Sequence, residues 1–457
     1  MPEIKKLLTR LHSTGFFFIF LSTVLVKMVT FCQSIIVVRL LSKGDYGLYS
    51  YCNNIISMIM LFDGLGCIAG ILQFGSECAG DQKRKNAFLL FGAKLGMITN
   101  VLTTIVIVIL ALTMNFEIKG AGTILLIMSF HPIFGCIFNL TSINLRINFQ
   151  NNKYSVLNVI YIVLLASGVV LGAWLWQVKG IAWLYYVSMT LTIAIAFWMN
   201  RKYLHAIKER VALTKDEKKA FLKHSVFTAF SNASSQLMLM LDMFVIGLVI
   251  ADELVLADYK AASTIPSALY FIPSAMMVYF YPFFVAKLND KAWVKKSVFL
   301  VFAALFVTSV LIGGVLLVAA PLVVRIIFGE QYLTAVPVFR VLVVSFMVGC
   351  FLEHASYHLL VALKKTTFNF ICSIAVGVLN VGLNCALVLS MGSICAAIAT
   401  LAVACVSAVA HFVYLMIQLK KLHHNSDEDP PEGDSSQMVS SESEPDMDPA
   451  VGEILPE

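Results

Sequence analysis

Charge is scarce in this 457-residue chain. Asp, Glu, Lys and Arg together make up 13% of it, against roughly 25% in soluble domains. That shortage excludes a soluble enzyme, and it excludes a nucleic-acid-binding protein despite a formal net charge of +6. No GxxxxGK[ST] loop is present, so ATP cannot drive a cycle from within the chain. The ten cysteines stand mostly inside apolar runs and show no CxxC spacing, which argues for small buried residues rather than a metal or disulfide framework. No A-x-A site follows the first apolar run, residues 15–38, which is also too long for a signal-peptide core. It reads as a retained span.

What the chain has in abundance is apolar sequence, 59% of its residues, in runs of the ~20 residues that a bilayer-spanning helix needs. They predict spans at 15–38, 47–73, 86–113, 120–146, 155–177 and 180–200. After a basic linker come 223–250, 256–286, 297–320, 333–362, 368–390 and 392–419. Backbone groups in lipid must be satisfied without water, so these elements are helices. The predicted fold class is an all-α polytopic membrane protein of about twelve transmembrane helices. Residues 1–200 form one six-helix lobe and 223–420 the other. Between them, 201–222 is a cytoplasmic linker with a surface helix in KERVALTKDEKK, and 421–457 is a disordered acidic tail.

Residues from 424 onward hold 11 of the 27 acidic residues and no Lys or Arg, leaving 33 basic against 16 acidic groups elsewhere. Loops on one side of the spans carry 24 of the basic residues. Loops on the other side carry five: Arg39, Lys43, Lys119, Lys179 and Arg325. The positive-inside rule makes the rich side cytoplasmic, with both termini there. An internal echo, DYGLYS at 45–50 and DYKAAS at 258–263, opens the second span of each half. It points to duplication, with a substrate path between the halves.

A charge at the bilayer centre costs roughly 2.5–3.5 kcal/mol on insertion scales, so charged residues within spans need a reason. Lys27 shares a narrow helical face with Thr23, Thr30 and Ser34, near mid-depth. His224, Thr228, Ser231, Ser235 and Asp242 form a stripe along span 7. Lys260 leads a row of Ser and Thr along span 8. Arg340, His354 and His358 share a face of span 10 while Glu353 points away. Ser and Thr stripes are also ordinary helix-packing surfaces, and Lys94 and Lys260 lie where they can snorkel to the interface. Asp63, Asp242 and Glu353 are candidates for ion coupling or for structural pairing with a basic neighbour. The two histidines lack a carboxylate or Cys at metal-ligand spacing, so no metal and no cofactor is expected. A cavity with a central ammonium, a guanidinium and hydroxyls suits an anionic, phosphate-bearing substrate with sugars attached. The energy would come from a Na+ or H+ gradient, from membrane potential or from substrate supply.

Four segments resemble one known family. VVRLLSKGDYGLYS (37–50) is similar to the R-L-L-x-x-x-D-Y-G-x-Y loop after the first helix of polysaccharide-biosynthesis flippases. LFDGLGCIAGILQFGSE (61–77) resembles their second-helix D-x-G region. LMLDMFVIGLVIADELVLADYKAAS (239–263) resembles their seventh-helix Asp, short loop and Tyr-Ala-Ala run. IIFGEQYLTAVPVFRVL (326–342) resembles their F-G-x-x-Y-x-x-A stretch. The family is the oligosaccharide-lipid flippase branch of the multidrug/oligosaccharidyl-lipid/polysaccharide exporter superfamily. The resemblance implies two six-helix lobes that alternate access to carry undecaprenyl-diphosphate-linked oligosaccharide across the bacterial inner membrane. It also implies partnership with glycan polymerase and assembly machinery. It makes Lys27 the main lumenal cation, supported by Arg340 and Lys260. Where members often carry a basic residue late in helix 2, this chain has Gln73, which puts more weight on Lys27. A cation-coupled drug antiporter of the same superfamily is the nearest alternative, but a mid-depth Lys27 argues against a cationic drug. A membrane polymerase or acyltransferase would need an outer catalytic loop, and every outer loop here is short.

Overall fold

The computed structural model describes residues 16–425, except 79, 207–209, 287–289, 364 and 392. The expected disordered tail beyond Asn425 lies outside the described residues, as do the side chains of Ser231 and Ser235. Helix is the only regular secondary structure among the described residues. Nine helical segments there are long and apolar enough to cross a membrane, so the chain is a multi-pass membrane protein. Two of the predicted spans, 223–250 and 256–286, are helical but are not among those nine.

The first half comprises α1 (Phe16–Leu40), α2 (Lys43–Ile59), a 3₁₀ segment (Met60–Gly66), α3 (Cys67–Glu77), α4 (Gln82–Thr113), α5 (Ala121–Met128), α6 (His131–Ile147) and α7 (Asn151–Ala206). Helix α7 is 56 residues long, far more than one span needs. It breaks at Trp176 and Gln177, where Gln177 has φ 52°. There the chain doubles back, because Gly172 and Gly180 meet backbone to backbone: a Cβ on Gly172 would stand 2.4 Å from the Gly180 carbonyl oxygen. Two antiparallel helices packed through small residues result, at the boundary expected between spans 5 and 6.

The second half comprises α8 (Lys215–Val249), α9 (Glu253–Leu269), α10 (Phe271–Ala286), α11 (Lys291–Val318), α12 (Ala320–Ile327), a 3₁₀ segment (Glu330–Ala335), α13 (Val336–Val348), a π-turn (Gly349–Glu353), α14 (His354–Ala362), α15 (Thr366–Met391) and α16 (Ser393–Asn425). The separate surface helix expected in KERVALTKDEKK is corrected here. Arg210–Thr214 is non-helical, and Lys215–Lys219 is simply the first turn of α8. Thr214 and Glu217 form a reciprocal capping box, which fixes the start of α8. No proline follows until Pro266, and α8 runs on to Val249.

Residues up to Leu415 form one compact unit, and Met416–Glu457 form a second, described to Asn425. The main buried cluster of the first unit unites both halves. It includes Tyr46, Tyr51, Ile246, Tyr259, Phe328 and Tyr332.

Candidate functional site

The two halves close on each other at both ends. At the charge-poor end, α2 packs on α9 so tightly that a Cβ on Gly47 would stand 1.9 Å from the Glu253 carbonyl oxygen. Ser42 caps α2 by accepting from the Asp45 backbone N–H, which sets Lys43 at the head of the helix. The Lys43 ammonium meets Asp258 Oδ1 at 2.7 Å and donates to Thr334 Oγ1 at 2.9 Å, while the Thr334 hydroxyl donates to Asp258 Oδ2 at 2.8 Å. Arg39 Nε donates to the Ile327 carbonyl at 2.8 Å, and its guanidinium also donates to Ile326. Beneath this lattice Tyr46 stands edge-on to the fully buried Tyr332, centroids 6.2 Å apart. Three of the four segments that carry the family resemblance thus meet here.

At the charge-rich end, α3 packs on the first turns of α8. A Cβ on Gly70 would stand 2.2 Å from Ser225 Oγ and 2.8 Å from the Phe221 ring. Phe221 is fully buried, with Phe74, Phe88 and Phe91 around it. Arg84 pairs with Glu217 across the halves. Backbone N–H donation from Thr214 and the guanidinium of Arg84 hold the Glu217 carboxyl below its ordinary value, because both favour the charged form.

Between the two closures lie the charged residues singled out from the sequence. Lys27, Thr23 and Thr30 are exposed on α1, and Ser34 is half-buried. The Thr30 and Ser34 hydroxyls donate to carbonyls of their own helix, Val26 and Phe31. No ion pair among the described residues takes up Lys27, Lys260 or Arg340, and no hydrogen bond joins the three. Lys260 is half-buried on α9, which touches α1; Arg340 is exposed near the start of α13. The common face expected for Arg340, His354 and His358 is corrected by the π-turn at Gly349–Glu353. Its extra residue turns everything beyond it by about 100°. His354 Nε2 instead lies 3.0 Å from Ser274 Oγ, with the His358 ring 4.8 Å away. Among the described residues Glu353 pairs with no base: Ser407 donates to it at 2.6 Å, and His411 Nδ1 lies 2.8 Å from the Ser407 carbonyl.

Asp242 is the best-organised of these residues. Only 7% exposed, it accepts from Tyr259 at 2.6 Å, Thr400 at 2.5 Å and Asn384 at 2.8 Å; the Asn384 amide also donates to Asn380 at 2.8 Å. Tyr259 entered the sequence reading only as the tyrosine of DYKAAS, and Asn380, Asn384 and Thr400 were not singled out; the signal for the asparagines was their spacing, one turn apart within an apolar run. Asp63 pairs with Asn139, at 3.5 Å, rather than with a base.

A family model described as polysaccharide biosynthesis protein matches residues 13–286, more than half of the chain. The chain belongs to that family. No curated protein sequence matches it. Among solved structures, the fold is similar to an inward-facing multidrug resistance MATE family transporter of the MOP superfamily. That match has 15% identity, covers 88% of this chain and 96% of the other, and gives a TM-score of 0.73. It is similar to the lipid II flippase MurJ in an inward closed conformation, at 17% identity, 89% and 90% coverage and a TM-score of 0.68. It is also similar to the eukaryotic MATE transporter AtDTX14, at 11% identity, 91% and 99% coverage and a TM-score of 0.61. The family member therefore shares the fold of these MATE and MurJ structures, an all-α multi-pass architecture.

Proposed function

We propose that this family member flips a polyprenyl-diphosphate-linked oligosaccharide across the bacterial cytoplasmic membrane by alternating access. The observation that carries the reading is the pair of closures between the same two halves, made by different residues at opposite ends. Two independent closures are what alternating access requires, since each must open while the other holds. Between them the ammonium of Lys27, in no ion pair among the described residues, is the natural anchor for a diphosphate, with Lys260 and Arg340 as supporting cations.

Asp242 is the coupling group in this proposal. The Thr400 hydroxyl has one proton but touches two acceptors, Asp242 Oδ2 at 2.5 Å and the Ala396 carbonyl at 2.9 Å. A proton on Asp242 or a small cation beside it resolves that conflict. The change reaches the charge-poor closure directly: Tyr259 donates to Asp242, and its neighbour Asp258 holds Lys43. An ion gained at Asp242 loosens its hold on Tyr259, and α9 carries the shift to the Asp258–Lys43 contact. Asp242→Asn is expected to abolish the dependence of transport on the ion gradient while leaving the protein folded.

The test is the leaflet location of the lipid-linked glycan in cells depleted of this protein, read with a membrane-impermeant glycan label. Accumulation of inaccessible, cytoplasm-facing glycan is the expected result. Unchanged labelling with chains of normal length would overturn the reading in favour of drug efflux. Normal labelling with short or unligated chains would overturn it in favour of an enzyme.

A further inference from the structure

The first half contains a second polar centre that the charge-poor closure does not use. Between α2 and α3 the 3₁₀ segment leaves helical geometry at Phe62–Gly66, and three consecutive residues, Gly64, Leu65 and Gly66, have positive φ of 54°, 47° and 72°. Leucine in that region is strained backbone, sustained here in the middle of a membrane-spanning segment. Asp63 lies within the break. Asn139 of α6 donates to its carboxylate at 3.5 Å, and the Asn100 amide of α4 stands beside the break, 3.5 Å from where a Cβ on Gly64 would lie. Asn100 is fully buried, and its amide also donates to the Gly96 carbonyl. Two acceptors are left over: Asp63 Oδ1 and Asn100 Oδ1 are shut off from solvent and receive no hydrogen bond. No ion pair among the described residues neutralises Asp63.

We propose that Asp63, Asn100 and Asn139, with carbonyls of the unwound segment, form a binding site for a small monovalent cation of sodium's class. The ligands are hard oxygens, and unwound helix in a membrane commonly presents carbonyls to such ions. Buried carboxylate and amide oxygens left without a donor call for an electropositive ligand. One carboxylate among neutral amides matches a single positive charge, whereas a divalent ion would be left undercompensated. The site lies beside the charge-rich closure, since a Cβ on Gly66 would stand 2.2 Å from the Ser225 carbonyl oxygen. This inference does not depend on the flippase reading or on the identity of the transported substrate.

Binding of radiolabelled sodium to the purified full-length protein tests it. Asp63→Asn is expected to lower the stoichiometry by one ion per chain. Asn100→Ala is expected to keep the stoichiometry and raise the half-saturating sodium concentration about tenfold, the effect of one lost charge-assisted contact. Unaltered stoichiometry in Asp63→Asn, or unaltered half-saturation in Asn100→Ala, would overturn the proposal. So would a wild type that binds no sodium and merely protonates Asp63, as seen by infrared titration of the carboxyl. If Asp63→Asn does not fold, Asn100→Ala decides alone, because its change removes no charge.

Discussion

Single residues set how firmly each closure holds and what the lumen can bind. Lys27→Ala should reduce glycan export about 10-fold to 100-fold, the loss of one charge-assisted contact to a diphosphate, with membrane insertion intact. Lys27→Arg should be much milder; normal export by Lys27→Ala would remove Lys27 from the site. At the charge-rich end the Glu217 carboxyl titrates below its ordinary value of 4.5 in the folded protein. Its stabilising contribution is therefore present above about pH 4.5 and lost as pH falls through the depressed value. Thermal unfolding should show Glu217→Gln less stable than wild type at pH 7, with the gap shrinking only below about pH 4.5. Thr214→Ala, which removes the cap of α8, should cost about 1 kcal/mol. Asp242 was legible as a charge in an apolar run. Its partners were not: Asn384 and Thr400 reach it from more than 140 residues along the chain, a juxtaposition no local pattern contains.

At the scale of elements, glycine separates the two closures experimentally. Gly47→Val would drive its side chain into the Glu253 backbone, and Gly70→Val would drive its own into Ser225 and Phe221. Gly47→Val should hold the charge-poor end open and Gly70→Val the charge-rich end. Labelling of an introduced lumenal cysteine from each side of the membrane should then show opposite asymmetries. Equal accessibility in the two variants would contradict the assignment of separate closures. The helices were legible because runs of ~20 apolar residues leave little else that can exist in a bilayer. The interruptions were less so. The DGLG sequence at 63–66 hints at the break after α2, but the π-turn at Gly349–Glu353 has no such signature. That hidden residue is why the expected alignment of Arg340 with His354 failed. The motif segments were read as family markers without a place. Three of them turn out to build one closure, through Lys43, Asp258 and Thr334.

At the scale of the whole molecule, the closures couple the halves through α9, which holds Lys43 through Asp258 and Asp242 through Tyr259. Sequence supplied the membrane class and the family. It could not supply the closed state at both ends, which depends on backbone contacts between segments about 155 to 205 residues apart in sequence. The measurement that bears most directly on the central claim uses purified protein in vesicles loaded with a polyprenyl-diphosphate glycan fluorescently labelled on its sugar. A membrane-impermeant quencher is added outside. The flippase account predicts that vesicles with wild-type protein lose nearly all fluorescence, while those with Lys27→Ala retain the inner-leaflet share seen without protein. Wild-type vesicles that retain the inner-leaflet share under every ion gradient would contradict it.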